Sequence, residues 1–112
     1  MKEGDVILTP IPQADGSVKN RPAIVLREMP RHHDLLVCGV STQLYQRVEG
    51  FDEIIPPGDP DFAGSGLLSE SLIRLGFLAV LPRKSIAGSI GAISSERHKR
   101  LLQRLSDYLV QA

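Results

Sequence analysis

Three short segments of this chain carry charged or polar side chains that could take part in binding or catalysis. Arg21 stands between a turn-rich loop and an apolar run, a place where a rigid scaffold can present a catalytic group. Ser41-Thr42-Gln43 follows a second apolar run and offers hydroxyl and amide groups that both donate and accept hydrogen bonds. Arg74 interrupts a third apolar run. Polar groups at the ends of buried elements are one way in which a protein presents binding or catalytic side chains.

Each segment also has an ordinary structural explanation that the sequence leaves open. Arg21 could be a solvated side chain, and the polar residues at 41–43 could be a simple turn. On a strand, Arg74 would face opposite to Ile73 and Leu75 and could merely point outward. The elements that hold these residues therefore decide between the two interpretations.

Most of the chain is predicted to form short strands. Apolar runs too short for helices predict strands at 5–10, 22–27, 35–40, 51–55, 69–75, 77–81 and 89–93. Gly76 separates two of these pieces, and Pro22 is expected at a strand start because it cannot donate to a ladder. Loops are predicted at 12–20 and 56–66, a polar turn at 28–34 and a helical turn at 82–85.

The last segment predicts a helix. Ser94 suits an N-cap, and Leu101, Leu102, Leu105 and Leu109 repeat at helical spacing. His98 extends this stripe by one turn. Many short strands and one terminal helix predict a mainly β fold, an antiparallel barrel or sandwich with a C-terminal α-helix on one face.

Composition limits the classes of protein. With 112 residues, the chain is expected to form one domain over 1–112. Thirteen basic residues balance thirteen acidic ones, so any nucleic-acid site must be a local patch. The lone Cys38 lies in an apolar run and is expected to be buried.

Several other functions find no support in the sequence. No signal peptide and no apolar run of membrane-spanning length is visible, so a cytoplasmic location is expected, without membrane association. His32 and His33 are adjacent and lack ligand partners at useful spacing, which argues against a metal site. The sequence also lacks a phosphate-binding Gly-Lys-Ser/Thr loop and a Gly-x-Ser-x-Gly elbow.

The order of the motifs is more informative than any one of them. Along the chain stand Gly4-Asp5-Val6, Arg21-Pro22-Ala23-Ile24-Val25-Leu26, Val40-Ser41-Thr42-Gln43, Ser71-Leu72-Ile73-Arg74 and Ile90-Gly91-Ala92-Ile93-Ser94. This series, over about 4–109, resembles the MazF/PemK family of toxin endoribonucleases. The resemblance implies an SH3-like barrel of the CcdB–MazF type with short helical turns, and a homodimer neutralised by a cognate antitoxin. It also implies cleavage of single-stranded RNA at short sequences, with no metal or cofactor.

The resemblance also assigns roles to residues. Arg21 matches the family's Arg-Pro arginine, which acts on the scissile phosphate, and Ser41 matches the hydroxyl residue that ends the central strand. Gln43 matches a common Gln of the family, and Arg74 matches an Arg found in one branch. For the flanking RNA we expect contacts from Asp15, Lys19, Thr42, Gln43 and Arg74.

One departure concerns the general base. Other branches of the family carry an Arg-Thr-x-Asp segment where this chain has Ala79-Val80-Leu81-Pro82. Asp15, His32 and His33 remain open as bases, and none is assigned. The missing segment favours one alternative to an active ribonuclease, a catalytically inactive RNA- or partner-binding module of the same fold. A second alternative is a CcdB-like toxin that acts on a protein target, because CcdB toxins share this barrel.

Overall fold

A computed structural model describes residues 1–12 and 14–111, with the backbone alone at 11 and 12. Gln13, within the predicted 12–20 loop, and Ala112 lie outside the described residues. The described part contains strands β1 (Asp5–Pro12), β2 (Val18–Glu28), β3 (Leu35–Ser41), β4 (Glu53–Ile55), β5 (Ser71–Leu81) and β6 (Gly88–Ala92). It also contains helices α1 (Phe62–Ser65) and α2 (Ser95–Leu109), and 3₁₀ turns at Leu44–Gln46 and Arg83–Ser85.

The strands form one antiparallel sheet with the order β4-β5-β3-β2-β1-β6. Every pair of neighbouring strands is antiparallel. The sheet is a half-barrel, and the predicted mainly β fold with a C-terminal helix and short helical turns is confirmed. None of the described helices is long and apolar enough to cross a membrane.

Apolar side chains are buried on both faces of the sheet. The helix-side core consists of Val6, Ile24, Leu26, Cys38, Val40, Ile55, Ile73, Leu75, Ile93, Leu101 and Leu105. The opposite core consists of Ile7, Ala23, Val25, Leu35 and Val37, with Ala79, Leu81 and Ile86 packed against it. Because successive side chains of a strand alternate between faces, burial of both faces requires the continuous apolar runs seen in β2 and β3.

Helix α2 begins as the sequence predicts. The Ser94 hydroxyl oxygen accepts a hydrogen bond from the Arg97 backbone N–H at 3.1 Å, which satisfies one of the open donors of the first turn. Leu101 and Leu105 are buried against the sheet. The His98 ring lies next to them, with its Nε2 2.7 Å from the Leu26 carbonyl oxygen.

The prediction of two strand pieces separated by Gly76 is wrong, because β5 runs unbroken from 71 to 81. Its register against β3 shifts sharply: Cys38 lies opposite Leu78, but the next residue, Gly39, lies opposite Arg74. Residues 75–77 therefore form a bulge without partners in β3. A glycine inside a strand is typical of such a bulge, which bends the strand and redirects its side chains.

The predicted start of β2 at Pro22 is also wrong, and the 12–20 loop is shorter than expected. Strand β2 begins at Val18, and Pro22 lies opposite Leu8 of β1. Pairing with β3 extends only to Ala23, so at Pro22 the strand is paired on one side. Proline lacks a backbone N–H, and this is tolerated at position 22 because the strand has no hydrogen-bonding neighbour on one side there, as in an edge strand.

The predicted loop at 56–66 contains helix α1, which sequence patterns did not reveal. Gly66 ends this helix with a left-handed φ of 76°. The predicted last strand, 89–93, is shifted by one residue in β6. The strand expected at 51–55 is shorter and comprises Glu53–Ile55.

A buried ion network joins α2 to the segment around β4. The Arg97 side chain is only 6% exposed, and its Nη1 donates to Glu53 Oε1 at 2.9 Å while its Nε donates to Asp61 Oδ2 at 2.9 Å. Arg97 Nη2 also contacts Asp59. Burial alone would raise the pKa of Asp61, but hydrogen bonds from Arg97 and from the Ser94 N–H outweigh burial and lower that pKa to about 2. The central place of Arg97 in this network was not predicted from the sequence.

Candidate functional site

A pocket of about 390 Å³ lies where β2, β3 and β5 leave the opposite core. Its lining consists of Ala14, Arg21, Pro22, Gly39, Val40, Ser41, Thr42, Gln43, Gln46, Arg74 and Phe77. A volume of this size is typical of small-ligand sites. Three separate segments of the chain therefore contribute polar groups to one concave surface.

Strand register brings Arg21 and Ser41 together. Ala23 lies opposite Gly39 in the ladder between β2 and β3. Arg21 is two residues beyond Ala23, and Ser41 is two residues beyond Gly39, so the alternation of side chains puts both on the face of the opposite core. Arg21 therefore follows Val25 and Ala23 on one face of β2, and Ser41 follows Val37 and Gly39 on the same face of β3.

Ser41 is the last residue of β3 and organises the turn that follows. Its hydroxyl oxygen accepts the Gln43 backbone N–H at 3.0 Å. A hydroxyl that accepts this bond still has its own hydrogen to donate. The Gln43 side-chain oxygen accepts from the Tyr45 hydroxyl, which leaves both amide hydrogens of Gln43 as donors to a ligand.

The bulge of β5 places Arg74 and Phe77 in the pocket. Phe77 lies over Gly39, where an added Cβ would stand only 2.9 Å from Phe77 Cδ1. The Arg74 guanidinium carbon lies 5.7 Å from the centre of the Phe77 ring, within cation–π range. Glycine at position 39 is therefore what allows the ring to cover β3.

Five of the seven residues predicted for the site line this pocket, namely Arg21, Ser41, Thr42, Gln43 and Arg74. Lys19 is exposed on β2 outside the lining, on the same strand face as Arg21 and about 7 Å farther along the strand. Asp15 lies in the β1–β2 turn, also outside the lining. Hydrogen bonds from the hydroxyl and the backbone N–H of Ser17 lower the pKa of Asp15.

Sequence reasoning missed Gln46, Gly39 and Phe77 as lining residues. Gln46 enters through the 3₁₀ turn at Leu44–Gln46, for which no clear local pattern exists. Gly76 was the available signal for Phe77, since a glycine within an apolar strand often marks a bulge.

Among the residues that the structure describes, the pocket lining contains neither a carboxylate nor a histidine. His32 and His33 lie on the β2–β3 turn, and His33 pairs there with Glu28, which also binds Arg83. All three residues left open as bases thus lie outside the lining. Ala79, which aligns with the Arg of the Arg-Thr-x-Asp segment carried by other branches of the family, packs against the opposite core.

Other reactive groups lie away from this pocket. Cys38 is fully buried, as expected, and burial raises the pKa of its thiol to about 12. A protonated thiol is a poor nucleophile. Over 1–12 and 14–111, no three His, Cys, Asp or Glu side chains gather in a way that could hold a metal ion.

Comparisons with known proteins agree with this geometry. The family model described as PemK-like, MazF-like toxin of type II toxin–antitoxin system matches residues 2–109. Among solved structures, the Mycobacterium tuberculosis toxin MazF-mt6 is similar with a TM-score of 0.65 and 19% identity, over 96% of this chain and 98% of that one. At this identity, the structural match establishes the fold alone. No curated protein sequence matches the chain. Since the family model covers nearly the whole sequence, this chain belongs to the PemK-like, MazF-like toxins of type II toxin–antitoxin systems.

Proposed function

We propose that this toxin-family protein is a sequence-specific endoribonuclease that cleaves single-stranded RNA without a metal ion. The observation that carries the proposal is the convergence of Arg21, Ser41 and Arg74 in one pocket. Two guanidinium groups and a hydroxyl are donors suited to the oxygens of a phosphodiester. Endoribonuclease activity is also general among MazF-like toxins.

The proposed reaction uses a nucleophile supplied by the RNA itself. The 2′-oxygen forms a bond to the adjacent phosphorus, and the bond from phosphorus to the 5′-oxygen breaks. The 2′-hydroxyl proton leaves to water in the open pocket, and water donates a proton to the departing 5′-oxygen. The products are a 2′,3′-cyclic phosphate and a 5′-hydroxyl, and DNA, which lacks the 2′-hydroxyl, is not cleaved.

Within this reaction, Arg21 stabilises the negative charge that grows on the phosphate oxygens. Preorganised donors of this kind often make the largest contribution to catalysis. The Ser41 hydroxyl donates a second hydrogen bond to the same group. Arg74, which lines the pocket, and Lys19, which lies near the start of β2 on the same strand face as Arg21, hold flanking phosphates.

Sequence specificity is assigned to groups that can reach base edges. Thr42 and Gln43 line the pocket and offer donors and acceptors. Asp15 stands on the exposed β1–β2 turn, next to the lining residue Ala14. We propose that this turn contacts the RNA beyond the cleaved bond.

Membership of the type II family implies an antitoxin partner and typically a dimer. We propose that the chain acts in the cytoplasm, as one domain over 1–112 in a homodimer, until an antitoxin binds it. RNA, rather than a protein target, is the proposed substrate.

The direct test is incubation of the purified protein with a long single-stranded RNA in the presence of EDTA. We expect cuts at recurring short sequences, with 5′-hydroxyl and 2′,3′-cyclic phosphate ends identified by end-specific labelling. A DNA of the same sequence serves as the control and should remain intact. Cleavage that requires a divalent cation, or fragments with 5′-phosphates, would refute the mechanism.

A catalytically inactive binding module is the second candidate. The lining without carboxylate or histidine favours it, because the pocket supplies no ordinary general base. In that case the folded protein should bind single-stranded RNA in a filter or anisotropy assay and leave several different RNAs uncut.

A further inference from the structure

We infer that Phe77 is a stacking platform for a nucleobase, so that this pocket reads a base as well as a phosphate. The inference rests on the proposed function and deepens it, since it identifies what occupies the apolar part of the same site. No role for Phe77 follows from the motifs of the sequence.

The exposure of Phe77 is the first observation. Its side chain belongs to an apolar strand, yet the residue is 44% exposed and lines a pocket whose other walls are mainly polar. A phenyl ring in such a pocket leaves apolar surface in contact with water. A ligand with a flat aromatic face would cover that surface, and every nucleobase has one.

The backbone fixes the ring in place. The bulge at 75–77 carries Phe77 over β3, and Gly39 provides the space because any Cβ there would lie within 2.9 Å of the ring. A platform held by strand and bulge loses little conformational freedom when a ligand stacks on it. This arrangement distinguishes Phe77 from apolar side chains that are exposed on flexible loops.

The neighbouring cation completes the binding surface. The Arg74 guanidinium lies 5.7 Å from the ring centre, and guanidinium planes also stack on bases. Arg21 and Ser41 line the same pocket. A nucleotide has the matching parts, a flat base and a phosphate, within one residue of its chain.

A tryptophan at position 77 makes stacking directly measurable, because the chain contains no Trp. Phe77→Trp would be titrated with a 2′-O-methyl oligoribonucleotide of mixed sequence, which the proposed mechanism cannot cleave. We expect strong quenching of the indole fluorescence on binding. An abasic oligonucleotide of equal length should bind through its phosphates and cause little quenching.

Leu78→Trp is the matched control. Leu78 is the next residue on the strand, is 40% exposed and does not line the pocket. Its indole should not be quenched by either oligonucleotide. Equal quenching at positions 77 and 78, or an unchanged signal at position 77 while the oligonucleotide binds, would overturn the inference.

Binding variants give an independent test. Phe77→Leu should weaken binding of a labelled 2′-O-methyl oligoribonucleotide about tenfold or more, and Phe77→Tyr should restore most of it. Gly39→Ala, which displaces the ring without removing it, should also weaken binding. Equal affinity of wild type and Phe77→Leu in anisotropy would contradict stacking.

The two proposals fail in different ways. If wild type cleaves RNA and Phe77→Leu binds as well as wild type, the inference is wrong and the proposed function stands. If wild type neither cleaves RNA nor binds the oligonucleotide, both fail.

Discussion

At the scale of single residues, the site is made where apolar positions of a strand give way to polar ones. On one face of β2, Val25 and Ala23 are buried and the next position is Arg21. On the facing side of β3, Val37 is buried, and Gly39 and Ser41 follow. The core thus fixes the strands, and the same strands present the arginine and the hydroxyl at the point where the core ends.

Replacement of the Ser41 hydroxyl tests its assigned role. Ser41→Ala should slow RNA cleavage roughly a hundredfold, because one preorganised donor to the phosphate is lost. Single-turnover cleavage of a fixed RNA would measure the effect. Ser41→Thr keeps the hydroxyl and should retain most of the activity. Cleavage by Ser41→Ala at the wild-type rate would remove Ser41 from the mechanism.

A residue could be predicted to line the pocket from the sequence only where its type is unusual for its segment. Arg21, Ser41 and Arg74 were identified because a charged or polar group next to an apolar run is conspicuous. Phe77 was missed because an aromatic side chain in an apolar strand normally predicts core. Only the bulge shows that its ring faces the pocket.

At the scale of elements, glycines control how closely segments approach. Gly66 ends α1 with φ of 76°, and a Cβ there would lie 2.2 Å from the Ile90 carbonyl oxygen. Backbone atoms cannot move aside as a flexible side chain can. Helix α1 can therefore pack beside β6 only with glycine at this position.

Gly66→Ala should lower the free energy of unfolding by about 2 kcal/mol or more, from the strained φ together with the backbone clash. Gly16→Ala is the matched control. Gly16 has φ of 86° but nothing within 4 Å of an added Cβ, so only the backbone strain applies. Urea denaturation of the two variants would measure the difference. Equal losses would show that the approach of α1 to β6 is not tight.

Helix and strand bounds were predicted well where the local sequence signals agree, and poorly where a strand-breaking residue lies within an apolar run. The N-cap and the leucine stripe agree on α2, and both are confirmed. At Gly76 and Pro22, residues that usually end strands lie inside them. In both cases pairing with neighbouring strands determines the outcome, and the local sequence does not contain that information.

At the scale of the whole molecule, the zero net charge hides an uneven distribution. Arg97 and Arg100 of α2 are paired with Glu53, and the hydrogen bonds that Arg100 donates to Glu53 raise the pKa of Arg100. Within 1–12 and 14–111, no carboxylate forms an ion pair with Arg74. The positive charge on the helix side is thus matched locally, while an arginine in the pocket can meet an external anion.

The ion network also predicts how stability depends on pH. The pKa of Asp61 is lowered from 3.8 to about 2, so its carboxylate adds stability that is fully present above about pH 4 and is lost as the pH falls through 2. The contribution is about 2 kcal/mol at neutral pH.

Asp61→Asn should therefore reduce the free energy of unfolding at pH 7 by about 2 kcal/mol, with a smaller reduction near pH 2. Urea denaturation across this pH range would measure both proteins. Glu96→Gln, in the first turn of α2 but exposed, serves as the control and should change little. A difference between wild type and Asp61→Asn that does not shrink at low pH would contradict the account.

The most direct measurement of the central claim compares Arg21→Ala with Arg27→Ala in single-turnover RNA cleavage with EDTA. Arg27 lies on the same strand, but its side chain is exposed and pairs with Glu3 outside the pocket. We predict that Arg21→Ala slows cleavage at least about a hundredfold, while Arg27→Ala cleaves at nearly the wild-type rate with the same fragment ends. Equal cleavage by Arg21→Ala and wild type would contradict the assignment of this pocket as the ribonuclease site.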